Sequence, residues 1–423
     1  MVPHISSSLC IKLRLSLLLA MTQLLSLSYA LQPCRLSAKT TRLYASKAEH
    51  DVKNIAIVGG GLAGMSAAYH LLEKIQGSSI TIIDKAGPGE GGASAVAGGL
   101  LHPFSPRGKL LHLGVEGLNA ANRLIGAANR HQPNCVLRDQ LYRVALTEKN
   151  VDQLKDTANL YPKYATWVSP DEIESNCRPS SDSILGGVLF SNGCKVIHVP
   201  TYIQGLWSAC QEMSNGRATW CVEDSPISQS NYDWEKRLSE FDTVVFAAGS
   251  GLFQDSILKK DATDFPAEIV RGQSIEFSYP SSSDYTNEAL LCGKYFAPLP
   301  GSGRVLLGAT HEWKEEALDR STVMEELKQR SYDLAPFIWD KGSVQNITVG
   351  YRVQSRRGKF GRMPIIGQSV HNDIHPNSWM FTGLSGRGLI YHGVYGDILS
   401  NAIIAKTESV VLNDNPDALW WKP

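Results

Sequence analysis

Between Asn54 and Lys85 the chain runs NIAIVGGGLAGMSAAYHLLEKIQGSSITIIDK: an apolar run, a glycine cluster, an Ala-rich stretch and a second apolar run that ends on an acid. The pattern reads as strand, tight turn, helix and strand. Gly59, Gly61 and Gly64 are spaced as GxGxxG at the strand-to-helix turn, and Asp84 stands 20 residues past the last of them. Gly59 permits the turn, Gly61 lets the backbone approach a pyrophosphate without a Cβ in the way, and Gly64 lets the helix pack closely on the sheet. The free N–H groups and the dipole at the helix N-terminus then favour phosphate charge. Asp84 would accept hydrogen bonds from adenosine ribose hydroxyls, which argues against a 2′-phosphorylated nucleotide. The expectation is an adenine dinucleotide bound where the first strand meets the first helix.

The 423 residues are 43% hydrophobic and 19% charged, enough for two domains or one large α/β body with an inserted lobe. The formal net charge is zero, but residues 1–46 hold Lys12, Arg14, Arg35, Lys39 and Arg42 and no acid, which leaves 36 basic against 41 acidic residues in the rest. That mildly acidic balance argues against nucleic acid as a partner, because such binding rests on neutralising phosphates. Within the leader, Lys12 and Arg14 precede LSLLLAMTQLLSLSYA, an apolar stretch too short and too polar to span a bilayer; a basic, acid-free segment, LQPCRLSAKTTRLYASK, follows. We expect residues 1–46 to be a bipartite signal and transit presequence addressed to a plastid, with a mitochondrion as the second destination, and no transmembrane segment in the mature chain. The eight cysteines, two of them in the leader, form no CxxC or clustered pattern, so neither a disulfide framework nor a metal site is expected.

Further along, residues 87–103 are dense in Gly and Ala and suit close backbone contact with a flat ligand. A helix is expected near 114–130, a mixed segment to Gly187, short strands from Val188, a helix entered at Pro200 and a strand from Thr219 to Val222. The run DTVVFAAGSG, Asp242 to Gly251, is a buried strand that ends in small residues where the chain must pass a cofactor. Residues 267–312 alternate as an antiparallel sheet does, and Ser378 to Ala405 read as strand, Gly-rich turn and helix.

The nucleotide unit, the Ala247-Ala248-Gly249 run and the closing GLSGRGL turn together resemble the D-amino-acid oxidase superfamily of FAD enzymes, which includes glycine and sarcosine oxidases and the FAD domain of a bacterial bifunctional tRNA-modification enzyme. Further matching pieces are Arg271-Gly272-Gln273, Gly308-Ala309-Thr310 followed by Glu312, Gly350-Tyr351-Arg352 and Met363 to Gly367. The resemblance implies an α/β chain with a Rossmann-like FAD-binding domain and an inserted antiparallel-sheet substrate domain, the glutathione-reductase-2 arrangement. On that plan residues 52–140, 196–265 and 346–423 would build the FAD-binding domain, and 141–195 and 266–345 the substrate domain.

The resemblance also implies roles. Gly59, Gly61, Leu62, Ala63 and Gly64 would hold the pyrophosphate, and Asp84 with Lys85 the ribose. Ala93, Ser94, Ala95, Gly99 and Leu100 would line the flavin, Val222 would meet the adenine through its backbone, and Ala248 and Gly249 would pass close by. Gly386, Arg387, Gly388, Leu389 and Ile390 would set a helix N-terminus against the flavin pyrimidine edge. An arginine at the G-x-R position would grip a substrate carboxylate in a planar fork; the basic run that follows leaves Arg352 and Arg356 as alternatives. His102 and Tyr391, with His392, are further candidates to shape the substrate pocket. The implied reaction is oxidation of a C–N bond in a small amine or amino acid by hydride transfer to FAD, with oxygen or another acceptor taking the electrons. Two other readings stay open: a non-catalytic assembly flavoprotein of an organelle, and an NAD-dependent dehydrogenase.

Overall fold

β1 (Asn54–Val58), α1 (Leu62–Lys74) and β2 (Ser79–Asp84) form the strand, helix and strand that the spacing predicts. They belong to a computed structural model that describes residues 53–223, 234–254, 265–280, 288–313, 316–369 and 374–422; the presequence expected over 1–46 lies outside the described residues. β1 pairs in parallel with β2 on one side and with Thr243–Phe246 on the other. The sheet continues in parallel to Ala218–Val222 beyond β2 and to Ser378–Thr382 beyond Thr243–Phe246, and Ile365–Gln368 closes one edge antiparallel. Apolar runs without alternation suit such strands because helices cover the faces of a parallel sheet.

Packing at the first turn depends on absent side chains. A Cβ on Gly64 would stand 1.8 Å from the Gly59 carbonyl oxygen, and one on Gly59, whose φ is +105°, would stand 2.5 Å from the Ala248 Cα. α1 and the helix Gly388–Ala405 approach almost as closely, since a Cβ on Gly396 would fall 2.2 Å from the Ser66 hydroxyl oxygen. At that seam Ser66 donates to the His392 carbonyl at 2.7 Å, the His70 Nε2 lies 3.0 Å from the Gly393 carbonyl, and Lys74 pairs with Asp397 at 2.8 Å. The fully buried His392 bridges onward: its Nε2 is 2.7 Å from the Tyr202 hydroxyl, and its Nδ1 is 2.9 Å from the Leu389 carbonyl. His392 is thus a structural tie between two helices and not a pocket residue.

A second sheet holds eight strands in the order Ser343–Ser355, Ala267–Ser278, Arg304–Gly308, Lys294–Pro298, Leu290–Cys292, Leu141–Val144, Gly187–Phe190, Ala165–Val168. All neighbours are antiparallel except Leu290–Cys292 beside Leu141–Val144. One face packs Ile275, Phe277, Phe296 and Leu307 against Val323 and Leu327 of the helix Arg320–Ser331. The strand Ser343–Ser355 pairs along the whole of Ala267–Ser278, so residues 346–355 lie in this sheet and not with the nucleotide-binding strands. The mixed segment holds two helices, Glu148–Leu160 and Pro170–Cys177; the second is opened by a Ser169 and Glu172 capping box that the sequence displays as S-P-D-E. Among the described residues no helix is long and apolar enough to cross a membrane, no metal-ligand cluster occurs, and the six cysteines are unpaired.

Gly64→Ala should lower stability by roughly 3 kcal/mol through backbone overlap, read as a fall in thermal midpoint; an unchanged midpoint would contradict the packing described. Burial pushes the His392 pKa down from 6.5 to about 4, so the folded protein holds it neutral. The unfolded chain binds that proton first as pH falls, so the contribution is complete above 6.5 and is lost progressively towards 4, in total about 3 kcal/mol. Urea unfolding at pH 7 and pH 5 should show a smaller loss in His392→Gln than in the wild type. Tyr202→Phe, which leaves the His392 Nε2 without a donor, should cost ~1–3 kcal/mol at neutral pH.

Candidate functional site

The uncapped start of α1 opens on a cavity of about 810 Å³ whose wall draws on both large sheets. Gly61, at the N-cap, has no side chain to satisfy the first-turn N–H groups; the Leu62 N–H finds the Ser94 hydroxyl at 3.2 Å. Asp84 braces the turn, its Oδ2 accepting from the Gly60 N–H at 2.6 Å and its Oδ1 from the Ala86 N–H at 3.1 Å. Each carboxylate oxygen has lone pairs to spare for a ribose. Trp220 supports this end: its indole N–H donates to the Ala86 carbonyl at 2.9 Å, and its ring lies where a Cβ on Gly60 would be, 2.1 Å away.

Most of the residues predicted to hold a dinucleotide meet on this wall. Gly59, Gly61, Leu62, Ala63, Asp84, Lys85, Ala93, Ser94, Gly99 and Leu100 line it, as do Ala248 and Gly249 and the whole turn from Gly386 to Ile390. Three do not. Gly64 is consumed by helix–strand packing, Ala95 lies outside the lining, and the Val222 side chain is 56% exposed at the end of its strand. At the far end the helix Gly388–Ala405 also begins without a side-chain cap, so a second helix N-terminus faces the same cavity.

The expected substrate residues divide. Arg352 lines the cavity from the strand Ser343–Ser355, paired with Val270, and its Nη2 is 3.2 Å from the His311 Nδ1. Arg356 is exposed and its N–H binds the Pro266 carbonyl, so of the two alternatives Arg352 is the one in the wall. His102 lines the cavity, and burial, with Arg143 and Arg387 nearby, holds its pKa well below the usual histidine value. Tyr391 corrects the expectation: it is fully buried, lies edge-on to Tyr395 at 5.5 Å and is outside the lining. The helical turn after Ile390 carries it to the core side.

Tyr295, Arg362 and Arg143 line the cavity and were missed by sequence reasoning. Tyr295 occupies space that Cβ atoms on Gly98 and Gly308 would take, 2.4 and 2.1 Å from its ring and hydroxyl. Arg362 donates to the Ser355 carbonyl, and Arg387 to the Arg362 carbonyl at 3.2 Å, which ties the Gly-rich turn to the adjoining hairpin. Arg143 and Arg362 join Arg352 and Arg387 in the wall, while Asp84 is its single carboxylate among the described residues. Arg143 had a visible signal, since a lone arginine interrupts the apolar strand LYRVAL.

A cradle that Cβ atoms would fill, two helix N-termini without side-chain caps, an acid at one end and arginines at the other suit an extended, doubly phosphorylated flavin dinucleotide. Comparison with known proteins agrees. The chain is 22% identical to the uncharacterized oxidoreductase YurR of Bacillus subtilis, covering 86% of this chain and 98% of that one. It is 25% identical to the tRNA 5-methylaminomethyl-2-thiouridine biosynthesis bifunctional protein MnmC of Thiobacillus denitrificans over 83% of this chain, but spans only 56% of that protein. Glycine oxidase from Bacillus cereus superposes with a TM-score of 0.65 at 20% identity, over 85% of this chain and 97% of the other. Residues 54–402 match the DAO family of FAD dependent oxidoreductases. The chain belongs to that family, and FAD is its cofactor.

Proposed function

We propose that the protein oxidises the C–N bond of a small primary or secondary amine that carries a carboxylate. The observation that carries this reading is Arg352: a half-buried guanidinium in the cavity wall, on the substrate sheet, whose one hydrogen-bond partner among the described residues is an imidazole and not an acid. Burial and then the Arg352 charge hold the His311 pKa down, and an imidazole in either protonation state offers no negative counter-charge. A planar fork with an unmatched charge selects a carboxylate and orients the carbon beside it.

Bound FAD supplies the hydride acceptor. The chain's own residues position and screen. Arg352 holds the carboxylate, Tyr295 and Leu291 line the same cavity, and the helix N-terminus at Gly388 would favour negative charge on a bound flavin. Among the described residues the wall offers no carboxylate besides Asp84, and its histidine, with a pKa held well below the usual value, is a weak base, so on this reading the amine loses its own proton to water before oxidation. Likeness to the solved structures of a glycine oxidase and an iminodiacetate oxidase supports this substrate class. We also propose delivery to a plastid, supported by the acid-free composition of residues 1–46. A fluorescent protein carrying those residues that collected in mitochondria would overturn that destination.

Anaerobic mixing of the FAD-loaded protein with glycine, sarcosine and N-ethylglycine tests the activity: bleaching of the flavin band supports it, and a yellow protein that none of them bleaches removes it. Arg352→Met should lower kcat/KM about 100-fold or more, mostly through KM, with FAD content unchanged. The rate should rise about tenfold per pH unit up to the substrate's own amine pKa, and the break should move when a less basic amine is used. A break fixed at one pH for amines of different basicity would instead reveal a titrating group of the enzyme.

A further inference from the structure

The substrate sheet delivers a second cation to the same cavity, and the described residues place no acid against it. Arg143 lies in the strand Leu141–Val144, all of it buried, and is itself only 9% exposed. Its Nη1 donates to the Ser105 carbonyl, its Nη2 is 3.5 Å from the His102 Nε2, and its guanidinium carbon lies 5.6 Å from the centre of the Phe190 ring. None of these neighbours is an anion. The His102 Nδ1 accepts from the Phe104 N–H, and burial keeps that imidazole neutral. The nearby Cys292 thiol is pushed up by burial and stays protonated. Burial brings the Arg143 pKa down to about 10, which leaves the group charged at neutral pH.

An ion removed from water without a partner is costly, and natural interiors pair such groups or use them. The other lining arginines have other means of support. Arg362 and Arg387 are half-buried and screened by solvent, and Arg352 meets the substrate carboxylate under the reading above. Asp84, the wall's single acid among the described residues, is bound to the Gly60 and Ala86 N–H groups at the nucleotide end. Arg143 remains, and it comes from the sheet that bounds the substrate space and not from the nucleotide-binding strands.

We propose that Arg143 is the counter-ion of a second carboxylate on the substrate, so that the enzyme acts on dicarboxylic amines, with the carboxylate beside the oxidised carbon on Arg352 and the distal one on Arg143. This rests on the amine-oxidation reading, and it narrows the substrate class. Arg143 is a binding and specificity residue that takes no part in proton transfer.

Binding of dead-end ligands separates the two ideas, because it needs no turnover. The full-chain FAD-loaded protein is titrated with glutarate, with its uncharged-end analogue glutaramate and with butyrate, followed by the change in flavin absorbance. Glutarate should bind about tenfold or more tightly than glutaramate or butyrate. The gap should close in Arg143→Gln and be partly kept in Arg143→Lys, both checked for FAD content against the wild type. Equal affinities in the wild type, or a gap that survives Arg143→Gln, would overturn the proposal. N-(2-carboxyethyl)glycine and N-ethylglycine are then compared as reductants: preference for the first supports the assignment and its absence counts against it. If glutarate shows the Arg143-dependent gap while no amine bleaches the flavin, the second-carboxylate site stands and the amine chemistry falls.

Discussion

The architecture turns on one close approach, where the turn after β1, the start of α1 and the end of the Thr243–Phe246 strand converge with no side chain between them. The prospective Cβ positions of Gly59 and Gly64 lie 2.5 and 1.8 Å from backbone atoms, so any larger residue would force strand and helix apart. Because they stay together, the first-turn N–H groups of α1, the Asp84 carboxylate and the Ala247-Ala248-Gly249 segment face one space. A diphosphate would be held there by geometry that backbone amides supply, which fits the few polar side chains at that end.

The cavity is electrostatically lopsided. One acid serves the nucleotide end, while Arg143, Arg352, Arg362 and Arg387 supply positive charge elsewhere and His102 is kept uncharged by burial beside two of them. Such a wall repels ammonium groups and attracts carboxylates, a combination that suits a substrate bound through its acid and oxidised as the free amine. The cations also favour the charge that gathers on a reduced ring. Catalysis on this plan asks the protein for orientation and field, and no dedicated acid or base is required of it.

Much of this was legible in local sequence, because the first unit combines period, spacing and turn chemistry in about thirty residues. The Ala247 run, the antiparallel segment from residue 267 and the closing Gly-rich turn were readable for the same reason. What escaped was set by orientation. Tyr391 directly follows the lining run from Gly386 to Ile390, but the helix it sits in is apolar on almost every side, so no stripe told which way each residue would point. Arg352 and Arg356 have the same parity and would share a strand face if the strand continued. It ends at Ser355, and Arg356 turns out to solvent. The thirteen-residue strand Ser343–Ser355 runs across the boundary expected at residue 346, since no turn interrupts the strand there.

By itself the sequence determined the nucleotide-binding unit, the family and the cofactor, since those depend on residues adjacent in the chain whose steric demands only glycine or a single acid can meet. The tertiary structure alone decided which arginines share the cavity. Arg143 and Arg352 are 209 positions apart, and only the eight-stranded sheet brings both to the same cavity, where burial strengthens the field of each.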